Sequence, residues 1–390
     1  MGKISLYEKL SHDSEILFGE VPNRDRVVWA LSQTIPENDL KIYFLLPFGS
    51  QMRLEKLKAK ASRLGFSALS LEESLERLYR QAFVMRHKHG DELSYERCPL
   101  SMLAEQQVRM RKGTEIGKAY ADYWLSLANH TAYRLPTRTP YFRVLSVEGA
   151  IRKEPFIEQA STETVEVAVN AEVPDPRQVL PLDVVSEIVR NQSLIGIADC
   201  YCRLSCDMQD DVCEKPRETC FVFNQFGQSL IDLGIARRLS LEEALQILQQ
   251  CEAAGLVHNV DNFQGQIRGL CNCCGCHCPG LKAAAKGATN VEATSRYEVR
   301  FEPEKCMQDY ACVDICPLQA VRMRAGGLPE IDRKICFGCG LCAGVCPQGA
   351  MSMQVRQKAP KVPVTAQSLQ NALMREAVAG LVWNKLTGKR

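Results

Sequence analysis

The sequence predicts an α+β chain of several modules on three observations: a helical N-terminal part that ends in a hairpin pattern, a cysteine-rich middle, and a cysteine motif repeated thirty residues apart near the C-terminus. At 390 residues the chain exceeds one core, since a domain takes roughly 100–200 residues. Basic and acidic side chains nearly cancel, 48 against 46, so net charge offers no pull toward nucleic acid or an anionic membrane. The 19 cysteines are the outlier. All but Cys98 and Cys251 fall in clusters between Cys200 and Cys346, at spacings typical of metal ligands rather than of a disulfide framework. With no apolar segment of signal-peptide length at the N-terminus, a reducing, cytoplasmic setting is expected. No apolar run approaches the roughly 20 residues of a membrane span, and Ile42 to Leu46 stops at Pro47.

Residues 1–135 read as a helical, winged-helix-like docking domain. Ser70-Leu71-Glu72-Glu73 has the form of a capping box, and Leu71, Leu75, Leu78 and Phe83 follow near helical spacing. His89-Gly90-Asp91-Glu92 then supplies a turn between two strand-like runs. Residues 136–180 read as connecting strands and linker, from the alternation of Val165, Val167 and Val169 and from Pro174, Pro176 and Pro181.

Residues 181–296 form the cysteine-rich domain. Ser240-Leu241-Glu242-Glu243 repeats the capped-helix signal, and Leu241, Ala244, Leu245, Leu248 and Cys251 share one stripe. Gly255 suits a left-handed residue after that helix, and a further hairpin pattern leads into Cys271. Residues 356–390 read as a linker and a terminal helix with an apolar stripe of Leu369, Leu373, Met374, Ala377, Val378, Leu381, Val382 and Trp383. Such a stripe packs on its own protein or docks a partner; a peripheral membrane contact through Trp383 is the lesser alternative.

Residues 297–355 carry the most specific signal. Cys336-x2-Cys339-x2-Cys342-x3-Cys346-Pro347 is the bacterial iron–sulfur run, in which the fourth thiolate reaches the other cluster of a two-cluster fold. Thirty residues earlier Cys306-x2-Asp309-x2-Cys312-x3-Cys316-Pro317 repeats it, with Ala320 answering Ala350. Zinc sites do not normally need two such tetrads in tandem. This stretch resembles the bacterial two-cluster 4Fe-4S ferredoxin family, whose fold has paired βαβ-like halves. The resemblance implies crossed ligation: Cys336, Cys339, Cys342 and Cys316 for one cluster, and Cys306, Cys312, Cys346 with Asp309 for the other. Asp309 departs from the family pattern. A carboxylate binds iron less tightly than a thiolate, so that cluster is expected to be aspartate-ligated or to lose its corner iron and become 3Fe-4S.

Ten further thiols, from Cys200, Cys202, Cys206, Cys213 and Cys220 to Cys271, Cys273, Cys274, Cys276 and Cys278, leave a cluster, structural zinc or a redox disulfide open, with a cluster favoured by number and proximity. The close Cys-x-Cys steps predict a looped backbone. Cys200, Cys202, Cys213 and Cys220 are the favoured ligands, with Cys271, Cys273, Cys274, Cys276 and Cys278 serving the same or a second cluster. Arg203 lends charge or is an ordinary surface partner; His277 is a ligand or the same. The pattern over residues 180–355 looks like a group of multicluster 4Fe-4S binding proteins of anaerobic metabolism, which implies three or four clusters.

Other chemistry lacks its motif. No Gly-x-Gly-x-x-Gly follows a predicted strand, and Gly275 and Gly280 have phosphate-loop spacing but Leu281 where the lysine belongs. The expected function is relay of single electrons to or from a partner oxidoreductase or its complex. One alternative is an iron–sulfur reductase with its own catalytic cluster in the middle domain. Another is a redox-sensing winged-helix regulator, which Glu72, Glu73 and Glu76 beside Arg77 and Arg80 disfavour.

Overall fold

The computed structural model describes residues 4–13, 23–47, 49–129, 137–151, 181–286 and 291–387. Helices and strands mix throughout, giving the α+β class. The expected strand of Val165, Val167 and Val169 lies outside the described residues, as do Pro174 and Pro176.

The N-terminal part runs α1 (Leu6–Asp13), α2 (Arg24–Thr34), α3 (Glu37–Tyr43), β1 (Met52–Arg53), α4 (Leu54–Ser62), α5 (Ala68–Arg80), β2 (Val84–His89), β3 (Glu92–Arg97), α6 (Leu100–Met110) and α7 (Glu115–Asn129). On α5, Leu71, Leu75 and Leu78 recur at helical spacing and are buried in one core with Leu31, Leu40 and Tyr43. The helix starts a turn earlier than the capping-box reading placed it. Ser67 is the N-cap and accepts from the Ser70 amide at 3.1 Å, so Ser70 lies inside the helix. The hairpin turns where the sequence placed it, with Gly90 at φ 61°, and β1 adds to its free edge in the order β1-β3-β2.

A seven-stranded sheet forms the middle. Its elements are β4 (Phe142–Val144), α8 (Glu148–Ile151), α9 (Val185–Arg190), β5 (Ile195–Asp199), α10 (Tyr201–Asp207), β6 (Glu218–Phe223), α11 (Asn224–Asp232), β7 (Ala236–Arg238), α12 (Leu241–Ala253), β8 (Val257–Asp261), β9 (Gly269–Cys273), α13 (Pro279–Ala285) and β10 (Glu292–Ala293). Strand order is β10-β4-β8-β9-β6-β5-β7, antiparallel except for β10 on β4. β4 belongs to the stretch read as connecting; it pairs with β8 through Phe142↔Asp261, so that stretch contributes a strand to the sheet. The α12 signals match the structure: Ser240 caps through the Glu243 amide at 3.1 Å, and Gly255 follows at φ 72°. Phe221, Phe223, Leu248 and Leu270 are fully buried in the core beneath this sheet.

The C-terminal unit is a β-α-β pair: β11 (Tyr297–Phe301), α14 (Ala311–Asp314) and β12 (Val321–Met323), then β13 (Pro329–Ile331), α15 (Leu341–Gly344) and β14 (Met351–Val355). β11 pairs with β14 and β12 with β13, both antiparallel. The halves match in backbone detail at the thirty-residue offset. Gln308, Tyr310 and Gln319 have positive φ where Gly338, Gly340 and Gly349 do. The Glu302 amide donates to Ala350 O at 2.9 Å and the Asp332 amide to Ala320 O at 2.7 Å. The non-glycine residues of the first half therefore accept a left-handed conformation that only the motif geometry demands.

The terminal helix α16 (Ala366–Thr387) packs on its own protein: Leu369 and Leu373 join the sheet core, and Glu376 accepts from the Arg138 and Thr139 amides at 2.6 and 2.9 Å. Met374 and Val378 stay exposed, and the side chains of Leu381, Val382 and Trp383 lie outside the described set. Among the described residues, no helix is long and apolar enough to cross a membrane.

Candidate metal centres

Four of the expected ligands meet, three from the first C-terminal half and Cys346 from the second. Cys306, Asp309, Cys312 and Cys346 line one solvent-open cavity together with Met307 and Tyr310. Burial, then the charges of Cys346, Asp309 and Cys306, push the Cys312 thiol up to about 11, so this pocket disfavours bare thiolates and gains from a cation among them. The Met351 amide donates to Cys346 Sγ at 3.4 Å. Asp309 is exposed, and its Oδ1 also accepts from the Ala311 amide at 3.2 Å, capping the turn into α14.

The second quartet is deeper. Burial raises the Cys339 thiol to about 12, with Cys316 and Cys336 charges adding, and raises Cys342 through burial and then Cys339, Cys336 and Cys316. Its loop is held by the segment after β4: the Val147 amide donates to Cys339 O and Ser146 Oγ to Gly338 O, both at 2.8 Å. A side chain at Gly338 would stand 2.0 Å from Tyr297 O, which explains that glycine beyond its φ of 72°. Soft thiolate donors, backbone N–H groups turned toward sulfur and apolar walls fit a 4Fe-4S cubane.

Nine of the ten middle thiols sort into two groups, not in the division the sequence favoured, and Cys206 lies with Asp211 and His277. Cys200, Cys202, Cys220, Cys271, Cys273 and Cys278 interact with one another, whereas Cys213 is placed with Cys274, Cys276 and His277. Nor is the backbone all loop. Cys200 is the N-cap of α10 and Cys202 lies in its first turn, while Cys271 and Cys273 share one face of β9 because side chains in a strand repeat every second residue. Asn272, on the other face, explains the Cys-Asn-Cys sequence: it donates to Thr219 O at 2.7 Å and meets His258 Nδ1 at 2.6 Å, tying β6, β8 and β9 behind the thiols.

Two guanidinium groups serve the six-thiol site. Arg203 is fully buried, which overturns its reading as a surface partner; it donates to Thr219 Oγ1 at 3.0 Å, to Pro216 O and to Asn272 O. Sequence reasoning missed Arg109, which reaches over from α6. It donates to Cys220 Sγ at 3.2 Å, to Asp199 O at 2.8 Å and to Glu105 at 2.7 Å. Thiols of Cys220 and Cys273 donating to it, followed by Arg109 and Arg203, hold Cys271 well below the ordinary thiol range. The Cys202 thiol, opposed by burial and seconded by Arg203, lowers Cys200 to about 6. Thiols at Cys200 and Cys271 that lose their protons readily, beside two cations, are suited to metal ligation. Cys98 and Cys251 are buried and apolar in their surroundings, with burial raising Cys251 to about 12.

Two glycines that resembled a phosphate loop have packing reasons. A side chain at Gly275 would lie 1.8 Å from Pro317 O, and one at Gly280 would lie 2.2 Å from Glu292 Oε1. Gly275 thus marks the contact of the middle thiol loop with the ferredoxin-type Cys316-Pro317 turn.

This geometry defines an iron–sulfur protein of the 4Fe-4S ferredoxin type in its C-terminal domain. The family model for the LdpA Fe-S cluster-binding domain matches residues 303–357. The chain is 41% identical over 51 residues to the pyruvate synthase subunit PorD of Thermotoga maritima, covering 13% of this chain and 52% of the relative. An uncharacterized ferredoxin of Methanocaldococcus jannaschii is 39% identical over 56 residues, 14% of this chain and 36% of the relative. The formate dehydrogenase iron-sulfur subunit of Wolinella succinogenes is 40% identical over 47 residues, 12% of this chain and 24% of the relative. The chain spans about half or less of each of these relatives. No solved structure matches.

Proposed function

We propose that the protein relays single electrons through three 4Fe-4S clusters to or from a partner oxidoreductase. One apolar cluster of side chains carries this reading, because it contains middle thiols and ferredoxin-type thiols together: Cys271, Cys273 and Cys278 with Cys316, Cys336 and Cys339. A second apolar cluster joins Cys312 and Cys346 to Cys316, Cys336 and Cys342. The thiol sites thus form a continuous series from the open pocket at Cys306 to the buried thiols beside Arg109. In this reading Cys306, Cys312, Cys346 and Asp309 hold the first cluster, Cys316, Cys336, Cys339 and Cys342 the second, and four of the six thiols Cys200, Cys202, Cys220, Cys271, Cys273 and Cys278 the third.

When bound, the clusters supply reversible one-electron chemistry. The chain's own residues hold and tune that chemistry: the apolar walls exclude water, and Arg109 and Arg203 favour the reduced, more negative state at the third site. Met307 and Tyr310, exposed at 70% and 40% beside the first site, give a partner an apolar footing there. The N-terminal module fits docking better than DNA reading. Arg77 is paired with Asp39 and Arg80 with Glu76, and the β2–β3 hairpin lies against α11, with His87 Nδ1 3.0 Å from Gln225 Oε1.

Stoichiometric dithionite titration followed by electron paramagnetic resonance tests the relay. About three electrons per chain are expected, falling to about two in the double variant Cys271→Ala, Cys273→Ala. Uptake of two electrons by the unaltered protein would remove the middle site from the relay.

A further inference from the structure

Of the four middle thiols left outside the relay, three form a group of their own, while Cys206 lies with Asp211 and His277. Sulfur atoms of Cys213, Cys274 and Cys276 and a ring nitrogen of His277 all lie within 4.8 Å of one another. Cys213 Sγ and Cys276 Sγ are 3.6 Å apart. That spacing fits ligands that share a single ion. Four ligands around one tetrahedral zinc, with Zn–S about 2.3 Å, hold their sulfurs about 3.8 Å apart. A cubane keeps its ligand sulfurs much farther apart because the whole cluster stands between them. The ferredoxin-type thiols supply an internal comparison: among the described residues, they form no group this tight.

His277 gives an independent sign of a ligand. Its side chain is 6% exposed, and neither ring nitrogen has a hydrogen-bond partner. A buried imidazole nitrogen without a partner is costly unless something fills the site. Its Nε2 stands 3.2 Å from the Asp211 carboxylate without hydrogen-bonding it, so that carboxylate adds negative charge beside a cation site. The burial of His277 also overturns its reading as a surface partner.

We propose that Cys213, Cys274, Cys276 and His277 hold a single zinc ion in a closed tetrahedral Cys3His site, separate from the iron–sulfur clusters. Three thiolates on a divalent ion leave one net negative charge, which Arg203 offsets through its side-chain contact with Cys274. All four positions being protein ligands, the site is structural. It ties the loop carrying Cys213 to the 274–278 turn, closed by the Cys278 amide on Cys274 O at 3.2 Å. The same turn abuts Pro317 through Gly275, so the ion braces the middle thiols against the ferredoxin-type domain. The assignment does not depend on the relay, since its readout is zinc and the relay's is iron and electrons.

The test uses the full-length protein purified without oxygen, with zinc and iron counted per chain and the zinc K-edge absorption recorded. About one zinc is expected, with three sulfurs at about 2.3 Å and one nitrogen at about 2.0–2.1 Å. Cys276→Ser and His277→Ala are each expected to lower zinc at least about fivefold while iron and the reduced paramagnetic spectrum stay unchanged. Absence of zinc from the unaltered protein overturns the assignment, as does a shell of four sulfurs. Loss of iron in Cys276→Ser equally overturns it, making this thiol a cluster ligand. Should either variant fail to fold, the shell of the unaltered protein decides alone.

Discussion

Arg109 and Asp309 show opposite ways in which one residue sets a site. Arg109 lies 111 positions from Cys220, and no sequence motif links them; only the packing of α6 and α7 against α10, with Trp124 edge-on to Tyr201 at 4.8 Å, brings them together. A hydrogen bond to a charged group is worth about 1.5–3 kcal/mol. If half of that differs between oxidation states, at about 59 mV per 1.4 kcal/mol, Arg109→Gln lowers the middle potential by roughly 30–60 mV. Potentiometric titration checks this, and an unchanged potential would show Arg109 to be only a packing residue. Asp309, by contrast, was legible at once, because it breaks a motif whose other positions are cysteine. Mild oxidation of the unaltered protein is expected to release about one iron per chain and produce a three-iron paramagnetic signal. Asp309→Cys is expected to abolish both; a signal that persists in the variant would place the labile iron elsewhere.

At the scale of elements, periodicity was readable wherever a helix or hairpin buried one face. The run from Leu71 to Leu78 and the turn at Gly90 needed only local chemistry. Helix start was misread by a turn because Ser67 and Ser70 are both competent caps, and only the geometry chooses. Accordingly Ser67→Ala should cost about 1 kcal/mol and Ser70→Ala within about 0.5 kcal/mol, as read by hydrogen exchange of the α5 amides. The sheet order was not legible, since β4 and β8 pair across more than a hundred residues. That pairing buries Glu292 on β10, where burial raises its carboxyl to about 7 against acceptance from Asn259. The folded chain then keeps a proton that the unfolded chain releases, so stability falls as pH rises from about 4.5 to about 7, by up to about 3 kcal/mol. Glu292→Gln should flatten this slope in unfolding midpoints measured across that range. An unaltered slope would assign it to other groups.

For the whole molecule, the ferredoxin-type domain was legible because its ligands are close in sequence and repeat. The middle region was legible only as a metal-rich region, because its two groups draw thiols from α10, the loop before β6, β6, β9 and the 274–278 turn. Spacing could not show that Cys213 separates from Cys200, Cys202 and Cys220. The middle thiol loop meets the Cys316-Pro317 turn at the close approach of Gly275. Gly275→Ala should therefore slow reduction of the middle site by pre-reduced ferredoxin-type clusters at least about tenfold, a prediction for rapid-freeze spectroscopy; about 1.4 kcal/mol of lost coupling suffices for that factor. The central claim is that a third cluster lies beside the ferredoxin-type pair. Iron and acid-labile sulfide per chain, counted on anaerobically purified protein alongside the spectrum of its reduced form, test it most directly. The account predicts about twelve irons, or about eleven where the Asp309 corner is lost, with a reduced signal beyond the ferredoxin-type pair; about eight irons and no further signal would contradict it.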